Sequence, residues 1–263
     1  MPTTKVGCLS IYVYMKKIIV FTGAGVSAES GIATFRDSDG LWANYRIEDV
    51  CTPEALAHNR AQVLEFYNIR RRELLSCRPN AAHTAIKWLE ERYDVQVITQ
   101  NIDDLHERAG SGKVLHLHGE LRCLRSGTHP DRIYRIEGWE QAVQAVQGGG
   151  RPDDCAKVWR QEETARDAHG DLLRPHVVFF GESVPAFEQA TDLVKQADIL
   201  IIVGTSLAVY PAAALALYAP PAVPVYVVDP HTPDVSALRN PVTCLAEPAS
   251  VGMPRLAEEL LQG

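Results

Sequence analysis

The stretch KIIVFTGAGVSAESGIATFRD, residues 17–37, decides the fold. Its first part is a continuous apolar run, the pattern of a strand buried on both faces of a parallel sheet. The run breaks at Gly23 and Gly25, which allow a tight turn, and a helical pattern is expected behind them. Such a helix would offer its unpaired N–H groups and positive dipole end to a phosphate. The spacing is not G-x-G-x-x-G, and no acidic residue closes a second strand about twenty residues on. Taken alone, the turn fits a nucleotide site and an ordinary strand-to-helix connection equally well.

Working outward, three more runs read as buried strands: VQVITQN (95–101), DILIIVGTS (198–206) and VPVYVVD (223–229). Helical patterns precede them, AAHTAIKWLEERY at 81–93 and FEQATDLVKQA at 187–197. Strands alternating with helices predict an α/β, Rossmann-like, doubly wound parallel sheet. Two excursions interrupt it. Residues 36–79 are polar and helical, with Pro53 opening one helix. Residues 122–174 show no strong buried strand, carry three glycines at 148–150, and suggest helices around Trp139 and Trp159. The expected division is a single domain over 15–263, with its core at about 15–35, 80–121 and 175–263, a helical lobe at 36–79 and a small module at 122–174.

At 263 residues and 46% apolar content the chain can bury a full core. Its formal net charge of −7 argues against general nucleic-acid binding, which needs a basic field. Six cysteines stand without a C-x-x-C pair, so neither a secreted disulfide scaffold nor a strong zinc signature is present, and a reducing cytoplasm is expected. No run of roughly eighteen apolar residues could span a membrane. Residues 1–14 read as a disordered or adventitious leader, with Met15 as the natural start.

The polar oddities fall beyond the carboxyl ends of the strands, where ligands bind in such sheets. TQNIDDLHERAG (99–110) places an Asn and an Asp that can bond an amide ligand, although Asp103 or Asp104 could equally cap the next helix. VLHLHGE (114–120) brings His116 and His118 to one face if it is a strand. A metal would lack a good third ligand there, Glu120 apart, while His118, before a glycine, is placed to act as a base. GTSLAVYPAA (204–213) offers hydroxyls to phosphate or ribose. In FYNIRRRE (66–73), Tyr67 and Arg70 share a helix face, the pattern of a solvated surface or of a shared ligand.

Taken together, GAGVSAESGIATFRDSDGLW, TQNIDDLHERAG, HLHGE, LLRPHVVFFGE and GTSLAVYPAA, in that order, resemble the sirtuins, NAD-dependent protein lysine deacylases. The resemblance runs from about residue 16 to the C-terminus and is weakest over 122–174. It implies that Gly23, Ala24, Gly25, Glu29 and the loop through Trp42 hold NAD, with Phe35 and Arg36 near the ribose and phosphates. Gln100, Asn101, Ile102 and Asp103 would line the nicotinamide pocket. Gly204, Thr205 and Ser206 would meet the diphosphate and ribose, Asp229 the ribose diol and Ala249 the adenine. His118 is implied as the catalytic base, assisted by Asn101 and Asp103. The products would be free lysine, nicotinamide and an O-acyl-ADP-ribose.

By the same resemblance an acyl-lysine peptide adds a strand between two segments, Gly181 and Glu182 with their neighbour at 183, and Ala208 and Val209 through residue 210. Tyr67 and Arg70 mark the class that removes acidic acyl groups, so succinyl- and malonyl-lysine are expected beside acetyl-lysine. The chain departs from the family at the zinc. Where many sirtuins hold four cysteines, the first position falls on Ser126, Cys123 lies three residues earlier, and Cys155 has no C-x-x-C partner, so no tightly bound zinc is expected. A second departure is Val227, where the family often has Asn. A mono-ADP-ribosyltransferase and a silent NAD or ADP-ribose sensor are the alternatives. A monomer is expected.

Overall fold

The computed structural model describes residues 15–32 and 45–263. Expectations for residues 1–14, and those for Phe35, Arg36 and Trp42, fall outside the described residues. Six parallel strands form the main sheet: β1 (Lys17–Thr22), β2 (Asp94–Thr99), β3 (Val114–His116), β7 (Ile199–Val203), β8 (Val225–Val228) and β9 (Val242–Leu245), in the order β3-β2-β1-β7-β8-β9. The order reverses between β1 and β7, the switch point where a doubly wound sheet opens a crevice beyond its carboxyl ends.

The continuous apolar runs are explained by burial on both sides. Ile18, Val20, Val97 and Ile201 pack under the helices Ala81–Trp88 and Ala249–Gln262, through Ile86, Met253 and Leu256. On the opposite face Ile19, Phe21 and Ile202 meet Ala190 and Val194 of the helix Phe187–Val194, and Leu215. Strand β9 was not visible in the sequence; its burial is intermittent and its residues do not form a long apolar run.

The helix expected after β1 is replaced, among the described residues, by two 3-10 turns, Ala24–Val26 and Ala28–Ser30. The cause lies across the crevice. Gly25 donates its N–H to Gly204 O at 2.8 Å, and a Cβ on Gly204, whose φ is +61°, would sit 2.3 Å from Val26 N. Glycine-on-glycine contact pulls the turn onto the end of β7 before a regular helix can start.

The helical excursion forms Ile47–Val50, Pro53–His58 and Arg60–Ser76. Pro53 opens the second of these as expected, with Thr52 accepting from Ala55 N as N-cap. Helices also form at Trp139–Gln147 and Ala156–Trp159, around the two tryptophans. The segment 122–174, which shows no strong buried strand in sequence, contributes short, partly buried strands beside its helices. Strands β4 (Gly119–Ser126), β5 (Ile133–Arg135) and β6 (Leu173–Val177) make an antiparallel sheet in the order β5-β4-β6. Strand β4 alternates buried and half-buried positions along most of its length, so it shows none of the continuous apolar runs of the main sheet. Fully buried Trp139 unites this module with the helical excursion, in a shared core with Phe66, Tyr67, Leu121 and Phe179.

Candidate functional site

The crevice at the switch point gathers the residues that the sequence analysis singled out at four separate strand ends. On one wall Gly23, Gly25 and Gly204 press backbone to backbone; a Cβ on Gly23 would lie 2.7 Å from Thr205 Cβ and 2.8 Å from Gly204 O. Thr205 accepts at its Oγ1 from Gln100 Nε2 at 2.9 Å, tying β7 to the loop after β2. Ser206 follows it, half-buried. Farther along the crevice the Glu29 carboxylate accepts from Ser250 N at 3.0 Å, beside buried Ala249 at the start of the last helix. Buried Asp229 accepts from His231 N at 2.8 Å. A cradle lined by glycine backbone, hydroxyls and an acidic residue fits a dinucleotide.

The floor of the site is a buried polar knot built around Ser27. Its hydroxyl donates to Asp103 Oδ2 at 3.0 Å and accepts from Asn101 Nδ2 at 3.1 Å, with His83 Nε2 at 3.5 Å. Below it Thr22 and Thr99 join hydroxyls at 2.9 Å, and His106 Nε2 lies 3.1 Å from Thr22 Oγ1. Burial holds His106 and His83 below the ordinary imidazole value, His83 at about 4, so both are neutral near pH 7. Burial also raises the Asp103 carboxyl, against the bonds from Leu105 N and Ser27 that favour its charge. Asp103 Oδ1 accepts from Leu105 N at 3.1 Å at the start of the helix Leu105–Arg108, while Oδ2 accepts from Ser27.

His118 stands half-buried at the start of the second sheet, with Nδ1 2.9 Å from the Gln100 carbonyl. A carbonyl only accepts, so the proton sits on Nδ1 and the lone pair on Nε2. Burial lowers its pKa, partly offset by that bond. Gly119 has to follow it: a Cβ there would lie 2.1 Å from His176 O, at φ +81°.

Toward the small lobe, Tyr67 is buried, stacked on Phe179 at 5.8 Å and bonded to Cys51 Sγ at 3.3 Å. Half-buried Arg70 lies with its guanidinium carbon 5.8 Å from the Phe66 ring centre. Burial lowers its pKa, while Tyr67, Glu73 and Asp103 act to raise it. Gly181 and the 208–210 segment are exposed and lie outside both sheets. The Glu182 side chain faces inward, bridging Arg174 at 2.6 Å and Arg125 at 3.0 Å and accepting from Phe179 N. It can offer a peptide only its backbone.

The donor set for a structural zinc does not fit a four-cysteine site. Cys123 is buried on β4, and Ser126 donates to Asp171 Oδ2, which also meets His129 and Arg132. Among the described residues one group of three possible ligands converges, Glu107, His116 and Glu120, and it contains no cysteine. The residues that sequence reasoning missed are Ser27, Thr22, Thr99, His83 and His106. Ser27 carried a signal, a hydroxyl two residues past a glycine turn; the histidines carried none, because only packing brings them there.

Residues 23–211 match the family model described as the Sir2 family, and the chain belongs to that family. It is 52% identical over 230 residues to the NAD-dependent protein deacylase of Aggregatibacter actinomycetemcomitans, covering 87% of this chain and 99% of that protein. Among solved structures, it is similar to a Sir2 homologue mutant in complex with ADP-ribose, with a TM-score of 0.78, 35% identity and 94% and 93% of the two chains covered. It is also similar to a Sir2 homologue–NAD complex, with a TM-score of 0.76, 35% identity and coverage of 94% and 90%.

Proposed function

We propose that this protein is an NAD-dependent protein-lysine deacylase that removes acetyl groups and, through Tyr67 and Arg70, succinyl and malonyl groups. The observation that carries the reading is the 2.9 Å contact of His118 Nδ1 with the Gln100 carbonyl, which calls for the proton on Nδ1 and leaves Nε2 as the basic nitrogen. The names of the relatives and the NAD-bound neighbour support the cofactor. When bound, NAD supplies a glycosidic bond to nicotinamide whose cleavage leaves an electrophilic ribose carbon. Gly23, Ala24, Gly25, Gly204, Thr205 and Ser206 hold its phosphates and ribose, with Asp229, Glu29 and Ala249 toward the adenosine end. Asn101 and Asp103, with Ile102 and Gln100 beside them, bind the carboxamide, which needs both a donor and an acceptor.

His118 takes a proton at Nε2 from a ribose hydroxyl, the role that a neutral, oriented imidazole suits. One water is consumed as the lysine nitrogen leaves the acyl carbon, and the products are nicotinamide, free lysine and an O-acyl-ADP-ribose. Protein substrates lie extended against the exposed backbone near Gly181 and Ala208, so recognition is largely main-chain.

A guanidinium half-buried beside a phenol fits a carboxylate by charge-assisted hydrogen bonds. One such contact is worth about 1.5–3 kcal/mol, roughly a tenfold to hundredfold preference. The test is NAD-dependent turnover of one peptide carrying acetyl-, malonyl- or succinyl-lysine, read by mass. Arg70→Met is expected to lower succinyl and malonyl removal by roughly tenfold to a hundredfold and to spare acetyl removal. Equal loss on all three would sink the assignment of Arg70, and no turnover by the wild type would sink the deacylase reading.

A further inference from the structure

The loop that presents Asn101 and Asp103 is fastened, carbonyl by carbonyl, to the segment 116–121. Leu117 N donates to Thr99 O at 2.9 Å and Leu121 N to Ile102 O at 2.8 Å. Between them, the Gln100 carbonyl meets His118 Nδ1 and the Asn101 carbonyl meets His116 Nδ1, each at 2.9 Å. The outer two bonds use amides that donate at any pH. The inner two use imidazoles, whose ability to donate depends on protonation.

His118 has one such acceptor and needs one N–H. His116 has two, because its Nε2 also lies 3.0 Å from Glu107 Oε1. A neutral imidazole carries one N–H and one lone pair, so one of the two contacts would set lone pair against lone pair. We propose that His116 is a positioning residue that works as an imidazolium, locking the Asn101 carbonyl and so the loop that presents Asn101 and Asp103. Its consequence for catalysis rests on the deacylase reading given above.

The surroundings suit that charge. The His116 side chain is only 7% exposed. It faces Glu107 and His106 from the helix Leu105–Arg108, Glu120 and Arg122 from β4, Asp103 from the loop and His176 from β6. Arg122 bridges the two glutamates, reaching Glu107 Oε1 and Glu120 Oε2 at 2.6 Å each. With His116 charged, two cations match two carboxylates; with it neutral, the buried cluster is left one negative charge in excess. Burial pushes the His116 pKa down, but Glu107, Glu120 and the Asn101 carbonyl raise it above the ordinary value. Glu107 is held at about 2, so the shared proton belongs to the imidazole. These same groups lie close enough to hold a metal ion, but the guanidinium already bridges both carboxylates.

The pH dependence has a definite sign. A raised histidine pKa means the lock is complete below the unfolded value of about 6.5 and is lost as pH rises through the folded value. His116 therefore shapes the alkaline limb of activity, and His118, whose pKa is lowered, the acid limb.

Heteronuclear NMR of the imidazole nitrogens, assigned with His116→Gln, tests the protonation directly. His116 is expected to be doubly protonated at neutral pH and to titrate only above it; a neutral tautomer at neutral pH overturns the proposal. In turnover, His116→Gln is expected to lower kcat and weaken nicotinamide inhibition by roughly tenfold to a hundredfold, with peptide KM unchanged within about twofold. Wild-type nicotinamide inhibition and pH profile in this variant would also overturn it. Glu107→Gln, which removes the counter-ion but keeps its size, should move the alkaline limb to lower pH even if His116→Gln does not fold. Absence of wild-type turnover would count against the deacylase reading alone, since the NMR titration still decides the state of His116.

Discussion

His118 and His116 stand two residues apart and are both anchored to carbonyls of the same loop, yet their surroundings give them opposite protonation. His118 is held neutral by burial with its proton on Nδ1. His118→Tyr is expected to cut turnover by about 10²–10⁴-fold while NAD affinity by calorimetry is retained. Undiminished turnover would remove His118 as the base. Because its pKa is lowered, the base stays unprotonated into mildly acidic solution, and kcat/KM should fall only below about pH 6.5, the ordinary histidine value. An acid limb centred above that value would contradict the burial effect. The sequence could place both histidines near the site, but not their charges. Those depend on Glu107, Glu120 and Gln100, which meet the rings only through packing.

On the helix Arg60–Ser76, three consecutive arginines have three different fates. Arg70 is half-buried, with its guanidinium carbon 5.8 Å from the Phe66 ring centre. Arg71 is fully buried and donates to Leu121 O at 2.8 Å and Asn68 Oδ1 at 3.2 Å. Arg72 lies outside, paired with Asp153 at 2.7 Å with both side chains substantially exposed. Arg71→Met leaves a buried carbonyl without its donor and should lower stability by about 1–3 kcal/mol. Arg72→Ala breaks an exposed surface pair and should leave stability nearly unchanged. Denaturant unfolding of the two variants side by side checks the contrast; equal effects would contradict the burial assignment. The buried face of this helix is broad, including Phe66, Tyr67, Asn68, Arg71, Leu74 and Leu75. Its polar members hide it from a simple apolar periodicity, so the helix was legible in the sequence while its orientation was not.

Across the whole molecule, the main sheet forms the crevice, and the helical excursion carries Tyr67 and Arg70, the residues proposed above to meet the acyl group. The antiparallel sheet β5-β4-β6 is packed against the helices at Trp139 and Trp159, and Trp139 donates its indole N–H to Asp104 at 2.8 Å. At the position expected for the first zinc cysteine, Ser126 joins Thr128, His129 and Asp171 in a hydrogen-bonded cluster. Dialysis against a strong chelator is expected to leave the unfolding temperature unchanged, and Asp171→Ala to lower it. Stoichiometric zinc in metal analysis, with a fall in unfolding temperature on its removal, would overturn this account of the module.

The alternating apolar strands and helices, the glycine turn at 23–25, the polar lips at 99–103 and 204–206, and the His118–Gly119 pair could all be read from continuous segments. Local pattern determines them: a strand buried on both faces has to be apolar throughout, and a backbone-to-backbone contact has to use glycine. Tertiary structure alone decided the 3-10 turns after β1, the second sheet, the Ser27 knot with His83 and His106, and the ionic cluster around His116. Each joins residues distant in sequence, and the pairing, burial and charge of a side chain are properties of its neighbours in space.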